Sequence, residues 1–360
     1  MALILRIEFR LATPPMSPVL TARPLFISLG LLWLIVFWLS LALGPISLPL
    51  GETLHAVLRL LGVPLEAEGV GQAELILGQI RLPRALLGLS VGAVLALSGV
   101  AMQGLFRNPL ADPGLIGVSS GAALGAAVTI VGSELVGGIP PLLAPYLLSL
   151  SAFVGGLVVT ALVYRLGRRD SRTHVATMLL AGIALTALAG AVIGLLTYVA
   201  DDGTLRTLTF WNLGSLNGAS YARLWPLLLV TVAMTFWLPR RAQALNALLL
   251  GESEARHLGF DVERLKRDLV FCTALGVGAA VAAAGMIGFV GLVVPHLVRL
   301  MTGPDHRLLL PASALAGGSL LLLADLLARL MLAPAELPIG IVTALLGAPF
   351  FLYLLLRGRR

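Results

Sequence analysis

The 360-residue sequence predicts an all-α, polytopic membrane protein with ten transmembrane helices and an inverted internal repeat. Three observations lead there. Hydrophobic residues make up 58% of the chain and charged residues 12%, with a mean hydropathy of +0.97. A soluble domain carries about 25% charged residues and roughly 45–50% apolar ones, so no water-soluble shape of this size could cover so much apolar surface. Residues 24–51, 85–106, 113–133, 135–164, 173–200, 269–298 and 337–356 contain no Asp, Glu, Lys or Arg. Each window supplies the ~20 residues, at about 1.5 Å per residue, that cross a hydrocarbon layer of about 30 Å. Finally, Val91-Gly92-Ala93 with Ala96 and Gly99 recurs as Val277-Gly278-Ala279 with Ala282 and Gly285. The copies lie five spans apart in order, in the second and the seventh, so they run in opposite directions, as inverted transporter repeats do.

In chain order the spans read as about 25–43, 85–106, 115–133, 142–164, 174–199, 222–239, 268–285, 289–300, 308–331 and 339–356. The first has no A-x-A-like cleavage site after it and reads as a retained helix behind a tail over 1–24. Asn108-Pro109, Asp112-Pro113-Gly114, Pro140-Pro141 and Gly303-Pro304 supply turns between spans. The eighth span is too short to cross alone. It follows Gly285, Gly288 and Gly291 and reads as a half-helix after a break, which protein or a cavity must surround. The 40 glycines suit closely packed membrane helices. The repeat halves run over about 81–200 and 267–356 within a single membrane domain, 25–360.

Charge fixes orientation. The N-terminal tail, 107–112, 165–173, 239–268, 299–307 and the C-terminal tail hold 19 of the 25 basic residues. The opposite face has Arg59, Arg81, Arg84, Arg206, Arg223 and Arg329, and collects Glu52, Glu66, Glu68, Glu74, Glu134, Asp201, Asp202 and Glu336. Both termini are therefore expected in the cytoplasm. Scattered between apolar spans, the net charge of +7 reads as topology and not as a nucleic-acid groove.

Several chemistries are excluded. The single lysine, Lys266, follows Leu265, so no Gly-Lys-Ser/Thr phosphate loop exists and ATP must be handled by another subunit. There is no H-E-x-x-H pair and no G-x-S-x-G elbow, and no catalytic or metal-binding residue is expected. Cys272 and His296 read as packing residues within apolar runs. Asp325 is a functional candidate as an ionisable residue inside a span, able to carry a proton or Na⁺. It also stands one helical turn before Arg329, and an (i, i+4) ion pair is the preferred reading.

The 239–268 segment is long and charged, and Gly251-Glu252-Ser253-Glu254-Ala255-Arg256-His257-Leu258-Gly259 reads as two short helices meeting at a glycine. At this point the sequence resembles the FecCD-type permeases of bacterial ABC importers. The resemblance runs from about Pro45 to Arg357. It includes Arg81-Leu82-Pro83-Arg84, the run from Arg107-Asn108-Pro109-Leu110 to Gly117, Ser119-Ser120-Gly121-Ala122, Gly288-Phe289-Val290-Gly291-Leu292, Pro295-His296, Asp305-His306-Arg307, Leu323-Ala324-Asp325 and Glu336-Leu337-Pro338-Ile339-Gly340. Roughly the first twenty residues depart from the pattern.

The resemblance implies a type II importer permease that works as a homodimer in the bacterial inner membrane, with the substrate path along the dimer axis. Two ABC ATPase subunits, holding ATP and Mg, would bind inside, and a periplasmic binding protein outside. Residues 251–259 would then couple to the ATPase. Arg81, Arg84 and Arg329 would dock the binding protein, and Asn108, Leu110, Val175 and Ala176 would narrow the inner mouth. Thr197-Tyr198-Val199-Ala200-Asp201-Asp202 and Thr209-Phe210-Trp211-Asn212-Leu213-Gly214-Ser215-Leu216 are similar to haem permeases. They imply haem as the transported substrate ahead of an iron–siderophore or cobalamin; no cofactor is expected on the chain itself.

Overall fold

The computed structural model describes residues 22–357 apart from 47, 61, 64–69, 136–139, 141–142, 171 and 334. The expected tail over 1–24 thus falls almost wholly outside the described residues, as do Glu66 and Glu68. The elements in order are α1 (Ala22–Ala42), α2 (Leu50–Leu60), α3 (Val70–Leu75), a π-helical turn (Ile76–Arg81) and α4 (Leu82–Phe106). A 3₁₀ turn (Pro113–Ile116) leads into α5 (Val118–Leu135) and α6 (Ala144–Gly167). A two-residue hairpin, β1 (Arg168–Arg169) and β2 (Arg172–Thr173), precedes α7 (Val175–Val199), α8 (Asp202–Asn212) and α9 (Tyr221–Arg240). Next come α10 (Ala242–Leu250), α11 (Glu252–His257) and α12 (Val262–Ala284). The chain ends with α13 (Val290–Thr302), α14 (His306–Leu330) and α15 (Ile339–Arg357).

Each of the ten spans read from the sequence falls on one of these helices. Among the described residues, seven helical stretches are long and apolar enough to cross a membrane, namely Ala22–Ala42, Gly71–Phe106, Tyr146–Gly167, Val175–Val199, Tyr221–Arg240, Val262–Ala284 and His306–Leu330. Val290–Thr302 and Ile339–Tyr353 are shorter apolar helices.

Two boundaries differ from expectation for physical reasons. The second span extends back to Gly71, where polar Gln72, Glu74 and Gln79 conceal the helix from a hydropathy reading. Pro83 interrupts this long helix by withholding its N–H, and the π turn just before it absorbs the mismatch. The Gly78 carbonyl, which residue 83 would have served in the wider turn, accepts the Tyr221 hydroxyl at 2.6 Å instead. Lastly, α8 occupies what reads as an outer loop, capped by Asp201, whose Oδ1 accepts the Thr204 N–H at 3.0 Å.

Helix α4 is the buried axis of the bundle, with α9, α12, α13 and α14 packed around it. Glycines set the closest crossings. A Cβ on Gly92 would collide with the Gly317 carbonyl of α14, and one on Gly99 with the Gly291 carbonyl of α13. The repeated Val-Gly-Ala triplet therefore packs differently in its two copies, since Gly278 of α12 faces the Phe153 ring. In lipid, apolar burial against protein gains little over burial against acyl chains, so close van der Waals packing must hold such crossings.

The break before α13 is observed. Gly285 takes φ +70° and Phe289 φ +67°, both left-handed. Its surroundings are backbone from two other elements. Ser215 N–H donates to the Ala284 carbonyl at 2.8 Å, while Ile339 and Gly340 N–H groups donate to Gly214 and Leu213 carbonyls at 3.1 and 3.0 Å. The Ala284 carbonyl at the edge of the break is thus met inside the protein, and Met286, Ile287, Gly288 and Phe289 line a cavity, the setting that an interruption among apolar helices requires.

Candidate functional site

Three regions carry the expected chemistry. The first is the platform formed by α10 and α11. The two helices meet at Gly251, whose φ of +135° is open to glycine and unfavourable for other residues, and Gly259 closes α11 with φ +86°. Along the segment, Gly251 and Ala255 are buried, whereas Ser253, Glu254, Arg256, His257, Leu258 and Gly259 are exposed. Leu250 and Leu258 stand 68% and 60% exposed beside those polar groups, which gives the platform an apolar surface.

Glu252 behaves differently from its neighbours. Its Oε2 lies 2.7 Å from Lys266 Nζ and 3.2 Å from Arg256 Nη2, so it faces inward to α12 and is not a free surface charge. Lys266 is only 1% exposed and also reaches Glu263 Oε1 at 3.3 Å and the Thr173 carbonyl at 2.9 Å. Glu263 Oε2 in turn accepts the Thr173 N–H at 2.7 Å. A second clasp holds α10. Asn246 Nδ2 donates to Asp305 Oδ1 at 2.7 Å, and Asn246 Oδ1 accepts the His306 N–H at 2.9 Å. The Asp305 carboxyl is held below the usual carboxylate range, first by the Arg307 N–H and then by Asn246. Lys266, Glu263, Thr173 and Asn246 escape a motif reading. The one available signal is a lone lysine among 25 basic residues.

The second region is the loop from α4 to α5 together with the base of α7. Arg107 turns the chain with φ +49°. Asn108 Oδ1 then accepts the Leu110 N–H at 2.9 Å, leaving Asn108 exposed and Leu110 half-buried. Asp112 caps the 3₁₀ turn through the Gly114 N–H at 2.7 Å; burial pushes its carboxyl pKa up against that hydrogen bond. Helix α7 starts at half-buried Val175 and exposed Ala176. It packs on the same loop region: a Cβ on Gly182 would collide with the Leu115 carbonyl, and Ser120 and Thr186 hydroxyls lie 3.0 Å apart. The two sets of residues expected at the inner mouth therefore belong to elements packed together.

Two cavities lie beside the C-terminal ends of α8 and α12. One, of about 780 Å³, is lined by Phe210, Trp211, Ser215, Asn217, Arg223 and Glu336 among others. The other, of about 730 Å³, is mainly apolar, with Leu95, Phe289, Ile341 and Leu345 beside Asp112 and Asn212. Both fall within the ~300–1,000 Å³ of small-molecule sites.

The third region holds the three arginines expected to dock the binding protein, and it places them in the protein interior. Arg81, Arg84 and Arg329 are 4%, 7% and 3% exposed. Arg81 donates to the carbonyls of Leu41, Ala42 and Ile46, satisfying the C-terminal end of α1, where orphan carbonyls and the helix dipole favour a cation. Arg84 forks onto Asp325 at 2.8 Å and Glu336 at 3.0 Å. Arg329 reaches Asp325 at 3.1 Å and Ser40 Oγ at 2.9 Å. Desolvated guanidinium groups need such partners, which is why they turn inward. The same geometry confirms the (i, i+4) pair of Asp325 and Arg329. With both its oxygens committed to arginines, Asp325 has no coordination left for a transported ion.

Comparison with known proteins agrees with this architecture. The FecCD transport family is matched over residues 31–357. The chain belongs to that family. It is 51% identical over 286 residues to the hemin transport system permease protein HmuU of Yersinia pestis, covering 78% of this chain and 83% of that protein. It is 46% identical over 293 residues to the cobalamin import system permease protein BtuC of Halobacterium salinarum, covering 81% and 76%. Against the vitamin B12 import system permease protein BtuC of Salmonella paratyphi A it is 44% identical over 336 residues, covering 93% and 95%. A solved structure described as an inward-facing conformation of a metal-chelate type ABC transporter superposes with a TM-score of 0.80 at 35% identity, covering 94% of this chain and all of that one. The protein is thus a multi-pass ABC importer permease of this family, whose members work with separate ATPase and substrate-binding partners.

Proposed function

We propose that this permease carries haem from periplasm to cytoplasm, as a homodimer in the bacterial inner membrane with both termini in the cytoplasm. The observation that carries the substrate choice is the 51% identity to a hemin permease, against 46% and 44% to cobalamin permeases. The mainly apolar cavity suits the reading, since a large planar ligand needs a wide apolar path with few hydrogen-bonding groups, and Phe210 and Trp211 offer aromatic faces in the adjoining, more polar one. An iron–siderophore or cobalamin is the second reading, favoured by the identity to the B12 permeases.

Two ATPase subunits, with ATP and Mg, would sit on residues 251–259, and a periplasmic binding protein would dock outside. Asn108, Leu110, Val175 and Ala176 would narrow the inner mouth of a path shared between two copies. Helix α7 supports the dimer, because Leu180, Leu195 and Tyr198 stand 68%, 64% and 88% exposed and a second copy could cover them. Reconstitution with ATPase and binding protein in vesicles tests the proposal. Haem uptake should require ATP inside and loaded binding protein outside, and should exceed cobalamin uptake. Uptake of cobalamin but not haem would reverse the substrate assignment.

A further inference from the structure

We propose that Lys266 is a positioning residue that locks the ATPase platform to the base of the inner-mouth helix, so that the two move as one piece. This rests on the reading of α10–α11 as that platform. The ammonium has three N–H donors and no acceptor. It hydrogen-bonds Glu263 Oε1 of α12 at 3.3 Å and the Thr173 carbonyl of β2 at 2.9 Å, and it forms an ion pair with Glu252 Oε2 of α11 at 2.7 Å, so each partner belongs to a different element.

Thr173 is the residue pinned. Its carbonyl is held by Lys266, and its N–H donates to Glu263 Oε2 at 2.7 Å. The hairpin behind it is closed by the Arg168–Thr173 pairing and by the His174 N–H on the Gly167 carbonyl at 2.9 Å. Only His174 separates Thr173 from Val175, the first residue of α7. The path from platform to inner mouth is therefore Glu252, Lys266, Thr173, Val175.

Charge makes the link stiff. Lys266 and Arg256 meet Glu252 and Glu263, so the cluster is neutral with both lysine and carboxylates in place. With the ammonium 1% exposed, shifting α11 away from Thr173 would strand a desolvated charge. Displacement of the platform is then cheaper when the base of α7 follows. A lysine serving only local stability could take all its acceptors from α12, its own helix; this one draws on three elements.

The experiment uses the assembled complex of permease, ATPase and binding protein in vesicles. It follows three readouts: ATPase retention, ATP hydrolysis and haem uptake (or cobalamin uptake where that is the transported ligand). Lys266→Met should retain ATPase and hydrolysis within about twofold of the unaltered protein while uptake falls at least tenfold, and Lys266→Arg should restore at least half of it. Amide hydrogen exchange over 172–178 should speed up in Lys266→Met and stay unchanged over 306–330. Glu252→Gln, which cuts only the platform side of the link, should lower uptake severalfold and decides the matter if Lys266→Met cannot be isolated folded. Normal uptake in either variant overturns the proposal, and so does loss of ATPase binding in Lys266→Met, which would make the lysine a support of the platform alone. Leu258→Glu, on exposed surface, separates the two readings. ATPase binding that survives it refutes the platform, while the exchange measurement still reports whether Lys266 holds Thr173.

Discussion

Neutralising Asp325 should cost the permease its buried ionic cluster around Arg84 and Arg329. Asp325 is 1% exposed and its two oxygens hold Arg84 at 2.8 Å and Arg329 at 3.1 Å. In Asp325→Asn, Arg84 keeps Glu336, but Arg329 keeps only Ser40 and weak contacts to the Ser40 and Leu43 carbonyls at 3.5 and 3.4 Å. Each charge pair is worth about 4 kcal/mol at 4 Å and an effective dielectric of 20, and the recovered hydration of a lost carboxylate offsets part of that. The remainder matches the ~3–5 kcal/mol seen when one partner of a buried pair is removed. For a chain of this size that corresponds to a fall on the order of 5 °C in apparent melting temperature. The assay is thermal unfolding in detergent followed by size-exclusion recovery. Adding Arg329→Gln to Asp325→Asn should regain part of the loss, because it removes the stranded cation. A single variant as stable as the parent would refute the reasoning. Uptake driven by a pH or Na⁺ gradient without ATP, and abolished by Asp325→Asn, would refute it more deeply by making the carboxylate a transport group.

Other perturbations follow from the same structure. Arg81→Ala should destabilise the permease by about 1.5–3 kcal/mol, the worth of hydrogen bonds from a charged donor, while binding-protein association per folded molecule stays unchanged; surface plasmon resonance at several salt concentrations checks the second half. Gly99→Val should abolish folded protein on fluorescence size-exclusion, since its side chain meets Gly291 backbone and overpacking by even a methylene costs about 1–3 kcal/mol. Asp305 carries a depressed pKa, so its contribution to the α10–α14 clasp is present above the unfolded carboxylate value of about 3.9 and is lost as pH falls through the lower folded value. Acid titration should therefore loosen α10, read as faster exchange over 242–250, and Asp305→Asn should show that loosening already at pH 7.

The membrane class and the long apolar helices were legible because apolar length is a property of contiguous sequence. So was the break at Gly285, where glycines interrupt a charge-free run, and so was the glycine junction at Gly251. The polar extension of α4 back to Gly71 was not, since Gln72, Glu74 and Gln79 look like loop residues until the rest of the helix covers them. The direction of the three outer arginines was also hidden. Sequence placed Arg81, Arg84 and Arg329 at one end of the bundle, but their partners come from α1, α14 and the turn before α15, up to 289 positions away. Only the fold brings Glu336 to Arg84. Lys266 escaped for the same reason, because its Thr173 acceptor is a backbone carbonyl 93 positions distant that no motif marks.

A consequence for the working of the permease lies in what holds its two ends. Mid-bundle contacts are glycine crossings such as Gly92 on Gly317, which resist sliding only through shape. The ends are held by charge: Arg84, Asp325, Arg329 and Glu336 on one side, Lys266, Glu252, Glu263 and Arg256 on the other. Dispersion contacts are individually small and can be exchanged as helices tilt, whereas a desolvated ion pair cannot open without stranding a charge. Helix α7 combines the two regimes. Its base is fixed at Thr173 by ionic side chains. Above that, one face packs on its neighbours, with Gly182 against the Leu115 carbonyl, Ala189 buried, and Ile193 and Leu196 against Ala127, Ile130 and Leu208, while Leu188, Leu195 and Tyr198 on the other face are uncovered. A helix held by ions at its base and by exchangeable apolar contacts above can follow a displacement of the base by shifting on that packed face, and the base is the part joined to Lys266.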